Sequence, residues 1–214
     1  MTDVAPALPG RAQVIVIGGG VIGASVAYHL ARLGWPDVLV LEQGQLSCGT
    51  TWHAAGLIGQ VRASESVTRL VQYSTDLYRG LERETGLSAG FKQCGAVTVA
   101  RTAERLVQLQ RTAAAAVAYG LDCELIGPDE AVELYPVMRA DDLAGALWLP
   151  GDGTANPTDL TYALAKGARD RGVRICERTR VTGILTAGGR ATGVRTAGGD
   201  IEAEVVVNCA GQWA

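Results

Sequence analysis

The chain has 214 residues, of which 48% are hydrophobic, and a formal net charge of -3 at pH 7. This length and apolar content suffice for the core of one large or two small globular domains and exclude a disordered chain. The acidic balance, with no block of more than two lysines or arginines, gives no support for binding to nucleic acid or to an anionic membrane.

The first residues and the cysteines bear on where the protein works. Residues 1–12 contain two prolines and no apolar core, so we expect a loose leader rather than a signal or transit peptide. No apolar run approaches the ~20 residues that span a membrane. The cysteines are odd in number, lie more than 25 residues apart and form no zinc pattern: Cys48, Cys94, Cys123, Cys176 and Cys209. We interpret them as reduced thiols of a cytoplasmic protein without a metal site.

Residues 13–42 predict a β-α-β unit that binds a dinucleotide. A β-branched strand leads into Gly18-x-Gly20-x-x-Gly23, which opens a helix with an apolar face, and a second apolar strand follows. Gly18 permits a tight turn, Gly20 lets the backbone approach a pyrophosphate, and Gly23 lets the helix pack closely on the strand.

Two further features strengthen this prediction. The amides of Val21 and Ile22 are expected to be free and to face an anion, together with the positive end of the helix dipole. Glu42 follows the second strand, 19 residues past Gly23, about where a ribose-binding acid is expected. A glycine turn that binds no nucleotide is the alternative.

The middle of the chain breaks the β-α alternation. Residues 44–60 form a long small-residue loop, which in a compact domain is functional or disordered. The next segment predicts helices at 64–86, 102–119 and from Pro128, and strands at 95–100, 123–126 and 145–149. We therefore expect residues 61–150 to be an inserted substrate-side region, with residues 1–60 and 151–214 as the dinucleotide-binding domain.

The last third returns to the pattern of the first unit. Asn156-Pro157 predicts a helix start, and the helix is expected to reach Arg171. A strand at 173–176, a hairpin across Gly188-Gly189 and a strand at 201–207 follow. The last strand should lie beside the first and leave its outer edge unpaired. The small residues 208–211 offer a second close approach to a dinucleotide.

The chain has two histidines with different surroundings. His29 lies in the first predicted helix beside its apolar face, where a packed or edge position is expected. His53 lies in the loop after Glu42, which leaves the sheet edge where ligands bind in open α/β folds. Spacing alone leaves a functional role and a solvated loop histidine both open.

Together, Gly18-Gly-Gly-Val-Ile-Gly23, Glu42 and Thr50-Thr-Trp-His-Ala-Ala-Gly56 resemble the dimethylglycine/sarcosine dehydrogenase family, flavoenzymes of the D-amino-acid-oxidase-like superfamily. The similarity continues through Pro150-Gly-Asp-Gly to Val207-Asn-Cys-Ala-Gly-Gln-Trp213, so it covers nearly the whole chain. The stretch around His53 is its specific part, because many oxidoreductases share the glycine pattern.

The resemblance implies an α/β fold: a Rossmann-like FAD-binding domain with a mixed sheet, an inserted α+β substrate-side layer, and truncation at the C-terminus. It implies FAD joined covalently from its 8α-methyl carbon to His53, with Cys48 as the rival nucleophile. By position matching, the cofactor-binding residues are Gly18, Gly20, Val21, Ile22, Gly23, Glu42, Gln43, Gly49, Thr50, Thr51, Trp52, His53, Ala54, Ala55, Gly56, Leu57, Val181 and Trp213. Trp52 packs beside the flavin in this interpretation, and core filling is its alternative.

The implied reaction is demethylation of an N-methylated glycine, dimethylglycine or sarcosine, by hydride transfer to the covalently bound FAD. The one-carbon unit then passes to water or tetrahydrofolate. Family chains are much longer, so we expect tetrahydrofolate and the electron acceptor to bind beyond residue 214. No catalytic residue is assigned, and the isolated chain is expected to be inactive.

Two other functions stay open. One is a related FAD-dependent oxidase of amino acids or amines that uses oxygen directly. The other is a non-catalytic dinucleotide-binding fragment or partner subunit. A nicotinamide dehydrogenase is disfavoured because residues 60–150 interrupt the Rossmann alternation.

Overall fold

The computed structural model describes residues 8–214, except for the side chain of Trp213. In chain order the elements are β1 (Arg11–Ile17), α1 (Val21–Arg32), β2 (Val38–Leu41), a 3₁₀ turn (Thr51–His53), β3 (Leu57–Ile58), α2 (Glu65–Thr85), β4 (Ala96–Ala100), α3 (Ala103–Ala118), β5 (Glu124–Ile126), α4 (Pro128–Leu134), β6 (Gly145–Leu149), β7 (Gly153–Thr154), α5 (Pro157–Arg169), β8 (Arg174–Cys176), β9 (Val181–Ala187), β10 (Arg190–Thr196), β11 (Gly199–Asn208) and a last 3₁₀ turn (Gly211–Trp213). The predicted mixed α/β fold is confirmed.

The chain forms two compact units. The first comprises Met1–Ala55, Gly80–Ala89 and Asn156–Ala214, and the second comprises Gly56–Arg79 and Gly90–Ala155. The first unit therefore contains the β-α-β segment and the last third of the chain. The second contains most of the segment that interrupts the β-α alternation.

A six-stranded sheet in the order β8-β2-β1-β11-β10-β9 organises the first unit. The strands from β8 to β11 are parallel, and β10 and β9 join antiparallel. The central strand β1 is apolar because it is buried between neighbours, as in parallel sheets generally. Helices α1 and α5 pack against each other, and they contact strands β1, β2 and β8.

Strand β11 confirms one prediction and corrects another. It pairs with β1 in parallel, from Arg11 opposite Glu202 to Ile17 opposite Asn208. Its outer edge is not wholly unpaired, because β10 pairs with its first four residues. The chain can reverse there because the hydroxyl of Thr196 accepts from the amide of Gly198 and donates to the carbonyl of Gly199.

The start of α5 shows how local sequence sets an element boundary. The side chain of Asn156 accepts hydrogen bonds from the amides of Thr158, at 3.0 Å, and Asp159, at 3.2 Å, and Pro157 occupies the first helical position. The helix ends at Arg169, two residues before the predicted end, and Gly172 follows with φ +94°. The predicted cap is confirmed.

A three-stranded antiparallel sheet, β4-β6-β5, forms the centre of the second unit. Leu147 and Leu149 of β6 pack with Leu109 of α3, whereas Ala146 packs with Ala131 of α4. The two helices therefore pack on opposite faces of β6, because successive side chains of a strand point to opposite faces of the sheet. A pair of two-residue strands, β3 and β7, was not predicted because such short strands carry no period.

The predicted leader is shorter than expected. Strand β1 begins at Arg11, so residues 11 and 12 belong to the sheet, and residues 1–7 lie outside the described part of the chain. Over residues 8–214, we find no helix with the length and apolar content needed to cross a bilayer. All five cysteines are free thiols.

Candidate functional site

A cleft of ≈ 450 Å³ lies in the first unit, where β1, β2 and β11 end. Its described lining is Ile17, Gly18, Gly20, Val21, Ile22, Leu41, Glu42, Gln43, Cys48, Gly49, Thr50, Thr51, Ala54, Thr179, Arg180, Val181, Cys209, Ala210 and Gly211. Carboxyl ends of parallel strands are where open α/β folds bind ligands, and the volume falls within the range of small-molecule pockets. The cleft therefore suits an extended ligand that crosses several strand ends.

The glycine turn between β1 and α1 admits no side chain at two of its positions. Gly18 has φ +104°, and a Cβ atom there would lie 2.4 Å from the carbonyl oxygen of Cys209. A Cβ atom on Gly23 would lie 1.8 Å from the carbonyl oxygen of Gly18. The predicted reasons for these two glycines, a tight turn and close packing, are confirmed.

The start of α1 departs from the expected arrangement of free amides. The amide of Val21 donates a 3.0 Å hydrogen bond to the hydroxyl of Thr51, so the prediction of a free Val21 amide is wrong. The reason is tertiary, because Thr51 reaches α1 from a loop 30 residues later in the chain. Ile22 lines the cleft and is 64% exposed. The positive end of the α1 dipole is thus directed at the cleft.

Glu42 lies at the end of β2 and is only 8% exposed. One carboxylate oxygen accepts from the amide of Gly19 at 2.6 Å, and the other accepts from the amide of Gly44 at 2.8 Å. The carboxylate thus joins the glycine turn to the loop that follows β2. The position of Glu42 after β2 predicts a ribose contact but not this structural role, because backbone partners leave no trace in a sequence pattern.

Replacing Glu42 by alanine is expected to lower the free energy of unfolding by about 1–3 kcal/mol, because the buried amide of Gly19 and the part-buried amide of Gly44 lose their acceptor. Affinity for a bound dinucleotide should fall by about 0.5–3 kcal/mol if the same carboxylate accepts from a ribose hydroxyl. Urea denaturation without cofactor and a cofactor titration measure the two effects. Glu204→Ala, which removes an exposed ion pair with Arg11, should change either value by about 1 kcal/mol or less. Equal effects of the two variants would contradict the role of Glu42.

His53 ends the 3₁₀ turn Thr51–His53, and its side chain is exposed. Its Nδ1 atom lies 3.2 Å from the carbonyl oxygen of Gly49, and its ring lies against that of Trp52 with centroids 3.8 Å apart and planes tilted by 35°. Trp52 is 58% exposed, so the core-filling alternative for this residue is wrong. The described lining of the cleft includes Gly49 and Thr51 but neither Trp52 nor His53.

The structure brings most predicted cofactor residues into the cleft. Those that line it are Gly18, Gly20, Val21, Ile22, Glu42, Gln43, Gly49, Thr50, Thr51, Ala54 and Val181. Gly23, Trp52, His53 and Ala55 lie elsewhere in the first unit, Gly56 and Leu57 fall in the second unit, and the side chain of Trp213 lies outside the described part.

Several lining residues were not assigned from sequence. Thr179 and Arg180 precede Val181, and their only sequence signal is that adjacency. The small-residue run 208–211 was singled out, and Cys209, Ala210 and Gly211 from it do line the cleft. The first and last parts of the chain therefore meet around one opening.

Two cysteines, Cys48 and Cys209, line the cleft, whereas His53 does not. The Sγ atom of Cys48 lies 3.6 Å from a carboxylate oxygen of Glu42, and burial raises the pKa of the Cys209 thiol. His29 lies away from the cleft, with Nδ1 2.7 Å from the carbonyl oxygen of Ser25 and its ring edge against Tyr28.

Nowhere in residues 8–214 do three or more acidic, cysteine or histidine side chains cluster as a metal site would require.

The chain is similar in sequence to a family of flavin-dependent enzymes and to much longer proteins. Residues 13–214 match the family described as DAO, FAD dependent oxidoreductase. The chain is 42% identical over 208 residues to the mitochondrial pyruvate dehydrogenase phosphatase regulatory subunit of Mus musculus, covering 97% of this chain and 24% of that protein. It is 41% identical over 213 residues to mitochondrial sarcosine dehydrogenase of Homo sapiens, covering 97% and 23%. The chain thus spans about a quarter of the length of these relatives.

Among solved structures, L-proline dehydrogenase from P. horikoshii is similar, with a TM-score of 0.90 and 32% sequence identity. The similarity covers 96% of this chain and 54% of that chain. The fold similarity therefore extends over nearly the whole chain and about half of that protein.

Proposed function

Because the chain belongs to the DAO family of FAD-dependent oxidoreductases, we propose that it is the FAD-binding portion of an enzyme that demethylates sarcosine or dimethylglycine. The observation that carries the proposal is the meeting of two segments at one cleft. The glycine turn at the start of α1 lines it, and so does the loop from Gly49 to Thr51, which leads directly to His53. The similarity to human sarcosine dehydrogenase supports the substrate class.

The residues at the cleft fit an FAD molecule. A side chain on Gly18 or Gly20 would fill the space around the turn, because their Cβ atoms would lie 2.4 Å from the Cys209 carbonyl and 2.9 Å from the Thr51 hydroxyl. In this proposal the N-terminal end of α1 faces the pyrophosphate. Glu42 and Gln43 contact the adenosine ribose, and the backbone of Val181 contacts the adenine.

FAD, when bound, supplies the acceptor for a hydride from the N-methyl carbon of the substrate. In this proposal the residues that line the cleft bind and orient the cofactor. We assign no described residue to the substrate carboxylate, to tetrahydrofolate or to the electron acceptor. We propose that these groups bind elsewhere in the complete enzyme.

We further propose that the cofactor is joined covalently to His53. The Nδ1 atom lies 3.2 Å from the Gly49 carbonyl oxygen, which can only accept a hydrogen bond. Of the two neutral tautomers, this contact favours the one with its proton on Nδ1, in which the lone pair lies on Nε2 and is available to the 8α carbon. Cys48 is a weaker candidate, because its thiol is directed at Glu42, on the ribose side of the proposed cofactor.

The proposed activity predicts a flavin spectrum that bleaches when the enzyme meets its substrate without oxygen. The full-length protein should reduce an artificial dye with sarcosine or dimethylglycine but not with glycine, which lacks the N-methyl group. Oxygen consumption without dye reduction would instead favour an amine or amino-acid oxidase. A purified protein that takes up no FAD would contradict the proposal, because the proposed reaction requires bound FAD.

A second function is favoured by the 42% identity to a regulatory subunit. In this alternative the chain belongs to a non-catalytic protein that keeps the dinucleotide cleft and acts through a partner chain. The two proposals separate in the same assay. Stoichiometric FAD together with an unchanged spectrum on addition of every N-methylated glycine would support the regulatory subunit.

A further inference from the structure

One hydrogen bond connects the glycine turn to the turn that carries His53. The hydroxyl of Thr51 accepts from the amide of Val21, the first residue of α1, at 3.0 Å. Thr51 is also the first residue of the 3₁₀ turn, and His53 is the last. The Thr51 hydrogen bond and the three residues of this turn therefore connect the start of α1 to the imidazole of His53.

The start of the loop is held by its own hydrogen bonds, one of which runs from the amide of Ser47 to the carbonyl of Gly19 in the glycine turn at 3.1 Å. The amide of Leu46 donates to Glu177 at 2.6 Å, and the hydroxyl of Ser47 lies 3.1 Å from that of Thr158. Between residues 49 and 55, by contrast, Thr51 makes the one hydrogen bond to another segment that we find among the described residues. Packing of α5 against the 3₁₀ turn is non-directional, so it fixes the turn less sharply than the hydroxyl does.

The lack of a side chain at Gly20 makes room for this contact. A Cβ atom on Gly20 would lie 2.9 Å from the Thr51 hydroxyl oxygen, closer than side-chain carbon atoms normally approach. The absence of a side chain at Gly20 therefore leaves room for Thr51 to reach the Val21 amide. The glycine pattern serves the His53 turn as well as the proposed cofactor.

We propose that Thr51 is a positioning residue for covalent attachment of FAD at His53, an inference that rests on the proposed function. The α1 terminus sets the place of the pyrophosphate, and the Thr51 hydrogen bond sets the place of His53 relative to that terminus. Attachment joins Nε2 of His53 to the 8α carbon. One hydrogen of the methyl group and the Nδ1 hydrogen leave as protons, and the two electrons pass through the flavin to dioxygen, giving hydrogen peroxide.

The role as a positioning residue differs measurably from direct binding of FAD by Thr51. Loss of the hydroxyl frees the Val21 amide for the pyrophosphate, so noncovalent affinity should change by less than about threefold. The maximal rate of attachment should fall about 10-fold to 100-fold, since a misplacement of about 1 Å can cost on the order of 100-fold in rate. The half-saturating FAD concentration should stay nearly constant.

The experiment reconstitutes the full-length apo-protein with FAD and follows acid-insoluble flavin over time at several FAD concentrations. Thr51→Val removes the acceptor at nearly constant volume, and Thr51→Ser keeps it and should restore most of the rate. Noncovalent affinity is measured with and without Thr51→Val in a His53→Ala background. Thr186→Val, the same change on an exposed position of β9, is the matched control and should attach FAD at the unmodified rate.

Each deviation has a defined meaning. A normal maximal rate with a raised half-saturating concentration would overturn the inference, because Thr51 would then only bind FAD. Equal slowing in Thr51→Val and Thr51→Ser would also overturn it, since the hydroxyl would not be the cause. If Thr51→Val does not fold, Thr51→Ala, which removes the hydroxyl without adding a methyl group in its place, provides the same comparison. Absence of acid-stable flavin in the unmodified protein would overturn the covalent proposal as well.

Discussion

Gly20→Val is expected to abolish FAD binding by the full-length protein. The first carbon of the new side chain would lie 2.9 Å from the Thr51 hydroxyl, and the two methyl groups would extend further into space that the cleft needs. We expect affinity to fall at least about 100-fold, equivalent to about 2.7 kcal/mol or more. Flavin stoichiometry after purification and a fluorescence titration with FAD measure the loss.

Gly10→Val is the matched control for this prediction. Gly10 is exposed, and a Cβ atom there would meet no atom within 4 Å. This variant should therefore keep stoichiometric FAD and the unmodified melting temperature. Stoichiometric flavin in Gly20→Val would show that the turn does not hold the pyrophosphate as proposed.

The parts of the fold that follow from the sequence are those fixed by local chemistry. Gly18, Gly23 and Asn156 act through backbone geometry or capping within a few residues, and each of these roles is confirmed. The β-branched run, the helical spacing of the apolar residues after the glycine turn and the second apolar run likewise predict β1, α1 and β2. The positive φ of Gly18, the contact of Gly23 with the Gly18 carbonyl and the Asn156 cap can be predicted because they are local, whereas the contact of Gly18 with Cys209 is not.

Periodicity predicts a helix more reliably than it predicts the buried face. The apolar residues at helical spacing in α2 include Val67 and Leu70, yet these are 46% and 63% exposed, whereas Thr68 and Thr75 are fully buried. The two threonine hydroxyls donate to the carbonyls of Ser64 and Val71 one turn earlier. Their polar atoms are thus satisfied inside the helix, so the methyl groups can be buried at low cost.

The candidate site was predictable in its first half and much less so in its second. The glycine pattern and Glu42 mark one wall of the cleft. Thr179, Arg180 and the Thr51–Val21 hydrogen bond depend on segments that come together only in the folded chain. The pairing of β10 with β11 depends in the same way on a turn at Thr196. Tertiary contacts of this kind have no sequence period, which is why the free amide of Val21 was wrongly predicted.

His53→Ala is expected to remove all acid-stable flavin from the full-length protein, because it deletes the nitrogen that forms the proposed bond. Noncovalent FAD should remain, since the described lining of the cleft does not include His53. Acid precipitation followed by absorbance of the pellet separates the two forms. Peptide mass spectrometry of the unmodified protein should place the added FAD mass on the peptide that contains His53.

Cys48→Ala provides the control, because Cys48 is the rival nucleophile and lies five residues earlier in the same loop. Its thiol contacts Glu42, whereas His53 contacts Gly49 and Trp52, so the two groups are directed at different neighbours. Cys48→Ala should therefore keep the yellow pellet that His53→Ala loses. A pellet that is colourless in Cys48→Ala and yellow in His53→Ala would move the link to the thiol. A bond between Nε2 and the 8α carbon survives unfolding of the chain. Flavin that washes off the unmodified protein under denaturing conditions would therefore contradict the covalent link, and only noncovalent FAD binding would remain.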